Sequence, residues 1–372
     1  MTVLLVARYR ASFVNEVRQA IQHHQGFGTK VVLCGHTFKL NPRWVALFRY
    51  LSMGLDLQYE AAESYWQVGP TARPLLNQGN TMIEPVVAYF KALQQRICQS
   101  LEAIDTQGTF SLEQIQPPNG GLSQPRVLAD GKHIEKAAVQ FTHSMGAALP
   151  PAATERNPHL AGSAFQATAI SLIVHPRNPH VPITHMNLRF FYVEADEPAW
   201  YFGGGYDLTP CYPVDEDVHL WHQTAANAVG DHYPAFKATC DEYFFLPHRN
   251  ETRGVGGIFF DDWTKDGFDD SFAMVKRVGD SFLPAYQPIF QRRMETPFTE
   301  AQREFQLYRR GRYAEFNLAI DRGTKYGLQS GRRIESVLAS LPPLVKWVYD
   351  YQPEPNSLEA TLSEYLKPND WL

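Results

Sequence analysis

The chain has 372 residues, of which 44% are hydrophobic, 20% charged and 13% aromatic, and its net charge is −5. That length encloses a sizeable core in one large domain or two ordinary ones, and the acidic balance gives no reason to expect nucleic acid, which needs a basic face. No apolar run approaches the ~18 residues of a membrane span, and Cys34, Cys98, Cys211 and Cys240 form no CxxC pair, which argues against zinc ribbons, thioredoxin chemistry and iron–sulfur clusters.

Residues 3–9 read as a strand, 13–23 as an amphipathic helix, 30–34 as a second strand, and 41–67 as an aromatic, helical stretch. Residues 1–55 hold seven basic side chains and one acid, Glu16. A basic, acid-poor start is one mark of an organellar transit peptide, but this segment is not Ser-rich and its apolar runs look folded. The expectation is a cytoplasmic protein, with organellar targeting as the alternative. Residues 69–80, with Pro70, Pro74 and Gly79, read as a linker. They close an N-terminal extension over 1–80, ahead of a main domain over 81–372.

Residues 82–104 form a convincing helix, with Val86, Phe90, Leu93, Ile97 and Leu101 along one stripe, and 117–125 read as a Pro/Gly loop. Period-two alternation then predicts strands at 169–175, 184–193, 200–202, 257–260 and 313–320. Helices are predicted at 214–229, 234–245, 268–293 and 299–310. Short Pro-bearing connections such as 176–184 favour antiparallel pairing. The fold class is α+β, a largely antiparallel sheet covered by helices.

Eight of the thirteen histidines lie within residues 159–248, yet no HExxH or HxH spacing fixes a metal. On a strand over 184–193, His185, Asn187 and Arg189 share one face and Met186, Leu188 and Phe190 the other. Ser171 and His175 share a face of the preceding strand. Such a polar face suits the floor of a ligand site or an ordinary solvent face, and the two readings weigh about evenly. Gly203, Gly204 and Gly205 permit close backbone approach or serve as a tight loop, and Asp207 follows as a carboxylate able to accept N–H bonds. Eight basic residues from Arg303 to Arg333 suit a polycarboxylate. Arg303 and Arg309 read as a solvated helix face, and the turn at Gly331, Arg332 and Arg333 as the better anion site.

Several long segments resemble the fingerprints of oxygen-dependent coproporphyrinogen-III oxidases. They are SLIVHPRNPHVP (171–182), GGGYDLTP (203–210), HRNETRGVGGIFFDD (248–262), RRGRYAEFNLAIDRGTKYGL (309–328) and PPLVKWVYDY (342–351). The resemblance runs from about Met82 to Leu372. It implies a large, flat, mostly antiparallel sheet between two helical layers, in a homodimer. The implied reaction converts two propionates of coproporphyrinogen III to vinyl groups, with molecular oxygen as co-substrate and protoporphyrinogen IX, CO2 and hydrogen peroxide as products.

Carried over residue by residue, the resemblance makes His185 a proton donor and Asp207 the acid that holds pyrrole N–H groups. Ser171, Asn187, Leu188, Arg189, Gly331, Arg332 and Arg333 become substrate contacts. His175, His185, His222 and His248 match histidines described as ligands of a divalent metal, manganese or similar, in bacterial members; other members work without one. No flavin, haem or iron–sulfur site is expected, because an electron-rich pyrrole supplies its own electrons. The Trp-containing glycine-rich loop usual in the family reads NGGLSQPR here, at 119–126. Two rival readings are an inactive tetrapyrrole-binding module on the same fold and a non-haem iron dioxygenase.

Overall fold

The computed structural model describes residues 30–33, 36–39, 72–117, 120–149, 158–195, 197–329 and 332–372. The chain divides into two compact units, Met1–Pro70 and Thr71–Leu372. In the first, β1 (Lys30–Leu33) pairs antiparallel with β2 (His36–Lys39), which places a strand where the second N-terminal one is predicted. The elements expected at 3–9, 13–23 and 41–67 lie outside the described residues.

The second unit opens with α1 (Ala72–Asp105), which takes in residues 72–80 of the expected linker. Pro74 falls in its first turn, where a missing N–H costs no intrahelical bond. Further along, Val86, Phe90, Leu93, Ile97 and Leu101 form a stripe at most 1% exposed. Each contributes roughly 1.5–3 kcal/mol of burial, more than Gly79 or a helix proline removes near an end.

A six-stranded antiparallel sheet follows, in the spatial order β10-β7-β6-β5-β4-β3. Its members are β3 (Gly121–Ala129), β4 (Ile134–Gly146), β5 (Ala164–Pro176), β6 (Ile183–Glu194), β7 (Ala199–Thr209) and β10 (Gly256–Trp263). The Pro/Gly loop expected at 117–125 is corrected, since most of it is strand β3. Pro125 is tolerated there because β3 lies at the sheet edge, where a missing ladder donor costs least. The glycine triplet also sits inside a strand, β7, and not in a loop after one.

Helices α2 (Asp215–Val229) and α3 (Tyr233–Tyr243) lead into a small ribbon, β8 (Phe245–Leu246) with β9 (Glu251–Thr252). After β10 come α4 (Gly267–Arg293) and α5 (Glu300–Glu315). The capping box of Thr299 and Gln302 starts α5. Its last turn widens into a π-helical segment, Phe316–Ile320, where a strand is predicted at 313–320. Tyr313, Phe316 and Asn317 are all buried, and that i, i+3, i+4 spacing belongs to a helix. Short helices α6 (Arg322–Gln329), α7 (Ile334–Val337) and α8 (Leu358–Tyr365) complete the unit.

The main core lies between one sheet face and α1, α2 and α4. There Val139, Leu172, Leu188, Phe202, Leu208 and Ile258 meet Phe90, Trp221 and Phe282. Asp217 of α2 binds Arg292 and Arg293 of α4 at 2.6 and 2.7 Å, which ties these two helices together. The opposite sheet face meets α5 and the segment behind it. Tyr313 packs on Ala138, Ile173 and Ile183, and Phe316 packs with Phe244 and Phe259. Helices thus cover both faces of the sheet, and the second covering leaves a cavity.

Candidate functional site

Strand register sets the floor of this cavity. Ser171 sits opposite Asn187, and Asn187 opposite Gly205. One row along, Ile173 faces His185 and His185 faces Asp207, while Arg189 pairs with Ala169 and Gly203. Because side chains alternate, Ser171, His185, Asn187 and Arg189 all point away from the apolar core. They line a cavity of about 870 Å³ together with Arg253, Asp261, Tyr313, Asn317, Arg322 and Arg332. The polar strand face is therefore partly roofed by helices and lines a partly open cavity, not the core. Gln140 Nε2 donates to Ser336 O at 2.6 Å and Lys136 Nζ to Leu341 O at 2.8 Å, fastening the roof to the floor.

Two glycines of the triplet are obligatory. Gly204 and Gly205 have φ of 154° and 141°, and a Cβ on Gly205 would lie 1.9 Å from Ile258 O. Gly203 has a different task. Its bare face leaves room for the Arg189 guanidinium, which a Cβ there would meet at 2.7 Å.

Asp207 is not among the cavity-lining residues. Its carboxylate accepts from Arg253 Nε at 3.1 Å, from Arg253 Nη2 at 2.7 and 2.8 Å, and from His185 Nδ1 at 3.0 Å. Those contacts fill the roughly four lone-pair positions of a carboxylate. Burial pushes the Asp207 carboxyl up, but Arg253 and His185 outweigh it and hold the group below its usual range. Asp207 is thus an anion behind His185. Its place among pyrrole N–H contacts, implied by resemblance, would require displacing Arg253 or His185. Since Asp207 accepts, His185 carries its proton on Nδ1, and Nε2 is the nitrogen left without a protein partner among the described residues.

Arg189 donates to Asn187 Oδ1 at 2.9 Å and pairs with Asp261, which also holds Arg322 at 2.6 Å. Two guanidiniums share the Asp261 carboxylate at this corner of the cavity, with Asp321 beside Arg322 in the same lining. Arg332 lies over the Tyr326 ring at 5.1 Å and reaches Ser144 Oγ at 3.3 Å. Arg333 is half exposed and pairs with Glu113 and Glu335. Gly331 lies outside the described residues. The Leu188 side chain points into the core on the far face, so only its backbone borders the floor. Arg303 and Arg309 do not form a solvated face; they bind Glu135 at 2.7 Å and Glu251 at 2.9 Å.

The four histidines matched to metal ligands lie apart, each in its own surroundings. His175 Nε2 donates to Ser340 O at 2.9 Å, and burial depresses its pKa well below the ordinary value. His222 lies on the core side, with Nε2 donating to Val255 O at 3.0 Å and Nδ1 accepting from the Tyr233 hydroxyl at 2.8 Å. Neither His222 nitrogen keeps a lone pair for a cation, and burial lowers its pKa to about 3. His248 sits at the surface on Glu315, 3.0 Å away. Among the described residues no three His, Cys, Asp or Glu side chains form a group fit to hold a metal ion.

Sequence reasoning gave no role to Arg253, Asp261, Tyr313 or Asn317, and placed Arg322 only within the basic block. The clearest missed signal was Arg253, a lone cation entering the apolar run GVGGIFF. It lies at most 4.6 Å from the ring centroids of Phe244, Tyr313 and Phe316. The family model described as coproporphyrinogen III oxidase matches residues 85–371, which takes in every residue placed in this cavity.

Proposed function

Because this chain belongs to the coproporphyrinogen III oxidase family, an oxidoreductase family of porphyrin biosynthesis, we propose that coproporphyrinogen III is oxidatively decarboxylated in the cavity on the polar face of its sheet. The observation that carries this reading is the chain of contacts from Arg253 through Asp207 to His185, which ends at a cavity lined by guanidinium groups.

Volume and charge both suit the substrate. A cavity of about 870 Å³ falls near the upper end of ligand sites, roughly 300–1,000 Å³, as a tetrapyrrole with four propionates requires. Arg189, Arg322 and Arg332 are the residue type that holds carboxylates by paired N–H groups.

Each propionate reacts as R–CH2–CH2–COO⁻ + O2 + H⁺ → R–CH=CH2 + CO2 + H2O2. A C–H bond and the C–carboxyl bond break, a C=C bond forms, and dioxygen takes up two electrons. One proton must come from the surroundings. His185 Nε2 faces the cavity to deliver it, while Asp207 keeps the ring in one tautomer and stabilises its charged form. Arg253 keeps Asp207 ionised. The two electrons leave the propionate by way of the electron-rich pyrrole that bears it, so the protein's task is orientation, charge placement and proton delivery. On this reading dioxygen is the only co-substrate, protoporphyrinogen IX is the final product, and the intact His185–Asp207 pair favours an enzyme over an inactive binding module.

The resemblance also carries the proposal of a cytoplasmic homodimer. Among the described residues no helix is long and apolar enough to cross a membrane. The test is anaerobic mixing of protein with coproporphyrinogen III, followed by admission of air. Oxygen uptake, peroxide release and protoporphyrin fluorescence after oxidation should appear together. Binding without oxygen uptake would assign the chain to the inactive alternative.

A further inference from the structure

The π-helical segment that ends α5 places one side chain in a position the roles above leave unexplained. Its defining bond runs from the Asp321 N–H to Phe316 O at 3.0 Å, five residues apart. Single π turns of this kind concentrate at functional sites. Asn317 sits on this turn, is only 5% exposed, and lines the cavity.

The orientation of its amide follows from its neighbour. Arg253 Nη1 lies 3.5 Å from Asn317 Oδ1, and a guanidinium can only donate. Oδ1 therefore faces Arg253, and Nδ2 faces the other way. Nδ2 is buried and makes no hydrogen bond of full geometry among the described residues, the Tyr313 hydroxyl one turn back being a neighbour it does not satisfy. A buried donor left unpaired is costly, so its partner is expected to arrive with the ligand.

We infer that the Asn317 amide donates to the carboxylate of the propionate undergoing decarboxylation. The inference rests on the oxidative decarboxylation proposed above. Pyrrole nitrogens offer only N–H donors, so the acceptor is a carboxylate or a reduced form of dioxygen. The carboxylate is favoured by the chemistry of its departure. Its charge disappears as CO2 leaves, and a guanidinium gripping it would stabilise the reactant and oppose the step. A neutral amide fixes position with less penalty. The same Arg253 that orients Asn317 also holds Asp207, and Asp207 holds His185. The reacting propionate is thereby aligned with the proton donor, while the cavity's other guanidiniums remain for the propionates that do not react.

The experiment measures coproporphyrinogen III affinity without oxygen, by ultrafiltration, for wild type, Asn317→Leu and Asn317→Ala, and then turnover in air. Loss of one hydrogen bond to a charged group should weaken anaerobic binding about tenfold to a hundredfold, with an unchanged melting temperature. If Asn317→Leu fails to fold, the smaller Ala variant decides. Unchanged anaerobic affinity overturns the inference; accompanied by lost turnover, it assigns the donor to reduced dioxygen instead. Wild-type turnover in air separately decides the underlying reading, because the affinity ratio is obtained without any reaction.

Discussion

Arg253 and Asp207 form an ion pair closed off from water: Nη2 approaches Oδ1 to 2.7 Å, and the two side chains are 1% and 2% exposed. Aromatic rings wall in the guanidinium, so removing either partner strands the other charge in low dielectric. Asp207→Asn and Arg253→Met should each cost about 3 kcal/mol or more, and the double variant clearly less than the sum. Urea unfolding at constant m-value checks this. Additive losses would mean the charges are solvated separately. Asp207→Asn should also slow turnover about a hundredfold or more, because His185 loses the acceptor that sets its tautomer.

Acid should weaken the fold in two distinguishable windows. Burial pushes His222 down from 6.5 to about 3, so between those values the unfolded chain binds a proton that the folded chain refuses. Stability therefore falls as pH drops below about 6.5, and His222→Gln should reduce that slope, leaving the share of buried His175, which is also held well below its ordinary value. At Glu315 burial acts upward, but Arg249, His248 and Arg312 prevail and hold the carboxyl at about 2 against an ordinary 4.5. Its contribution is present above 4.5 and is lost as pH falls toward about 2. Glu315→Gln should remove only that lower part. Unfolding midpoints recorded across pH for the two variants test the division.

Turnover should survive a chelator. The His222 nitrogens are both engaged in protein hydrogen bonds, and His175, His185 and His248 face three different surroundings. Manganese should neither raise the melting temperature nor bind stoichiometrically, and His222→Gln should lower stability more than rate. A tight manganese site that disappears in His222→Gln would contradict this.

How much was legible followed how local each signal was. Strand β6 showed itself by the alternation of His185, Asn187 and Arg189 with Met186, Leu188 and Phe190, and the same pattern revealed the polar face. Strand β4 carries equally clear alternation, with Val139 and Phe141 on the core side and Gln140 and Thr142 toward the cavity. The Pro- and Gly-bearing stretch before it reads as loop and masks that pattern. The segment at 313–320 misled because YAEFNLAI suits a strand in isolation, whereas the capping box at Thr299 and contacts with Phe244 and Ile173 make it helical. Partners distant in sequence were beyond local patterns. Nothing near Asp207 shows that Arg253 fills its oxygens, and nothing in Arg189 shows that Asp261 shares its charge with Arg322.

Neighbouring glycines of the triplet should fail in opposite ways. In Gly205→Ala the new methyl meets the Ile258 carbonyl, which is backbone and cannot move aside, at a φ that L residues rarely adopt. A loss of about 3 kcal/mol or more, or an insoluble product, is expected. In Gly203→Ala the methyl meets the Arg189 guanidinium, the far end of a long side chain held by Asn187 and Asp261 and not by rigid backbone. That end can shift, so stability should change by less than about 1.5 kcal/mol. Its shift, however, disturbs the group shared with Asn187 and Asp261, and the KM for coproporphyrinogen III should rise about tenfold. Melting curves and steady-state kinetics on the two variants separate these outcomes. Equal stability losses would mean that Gly203 is needed by the strand and not by Arg189.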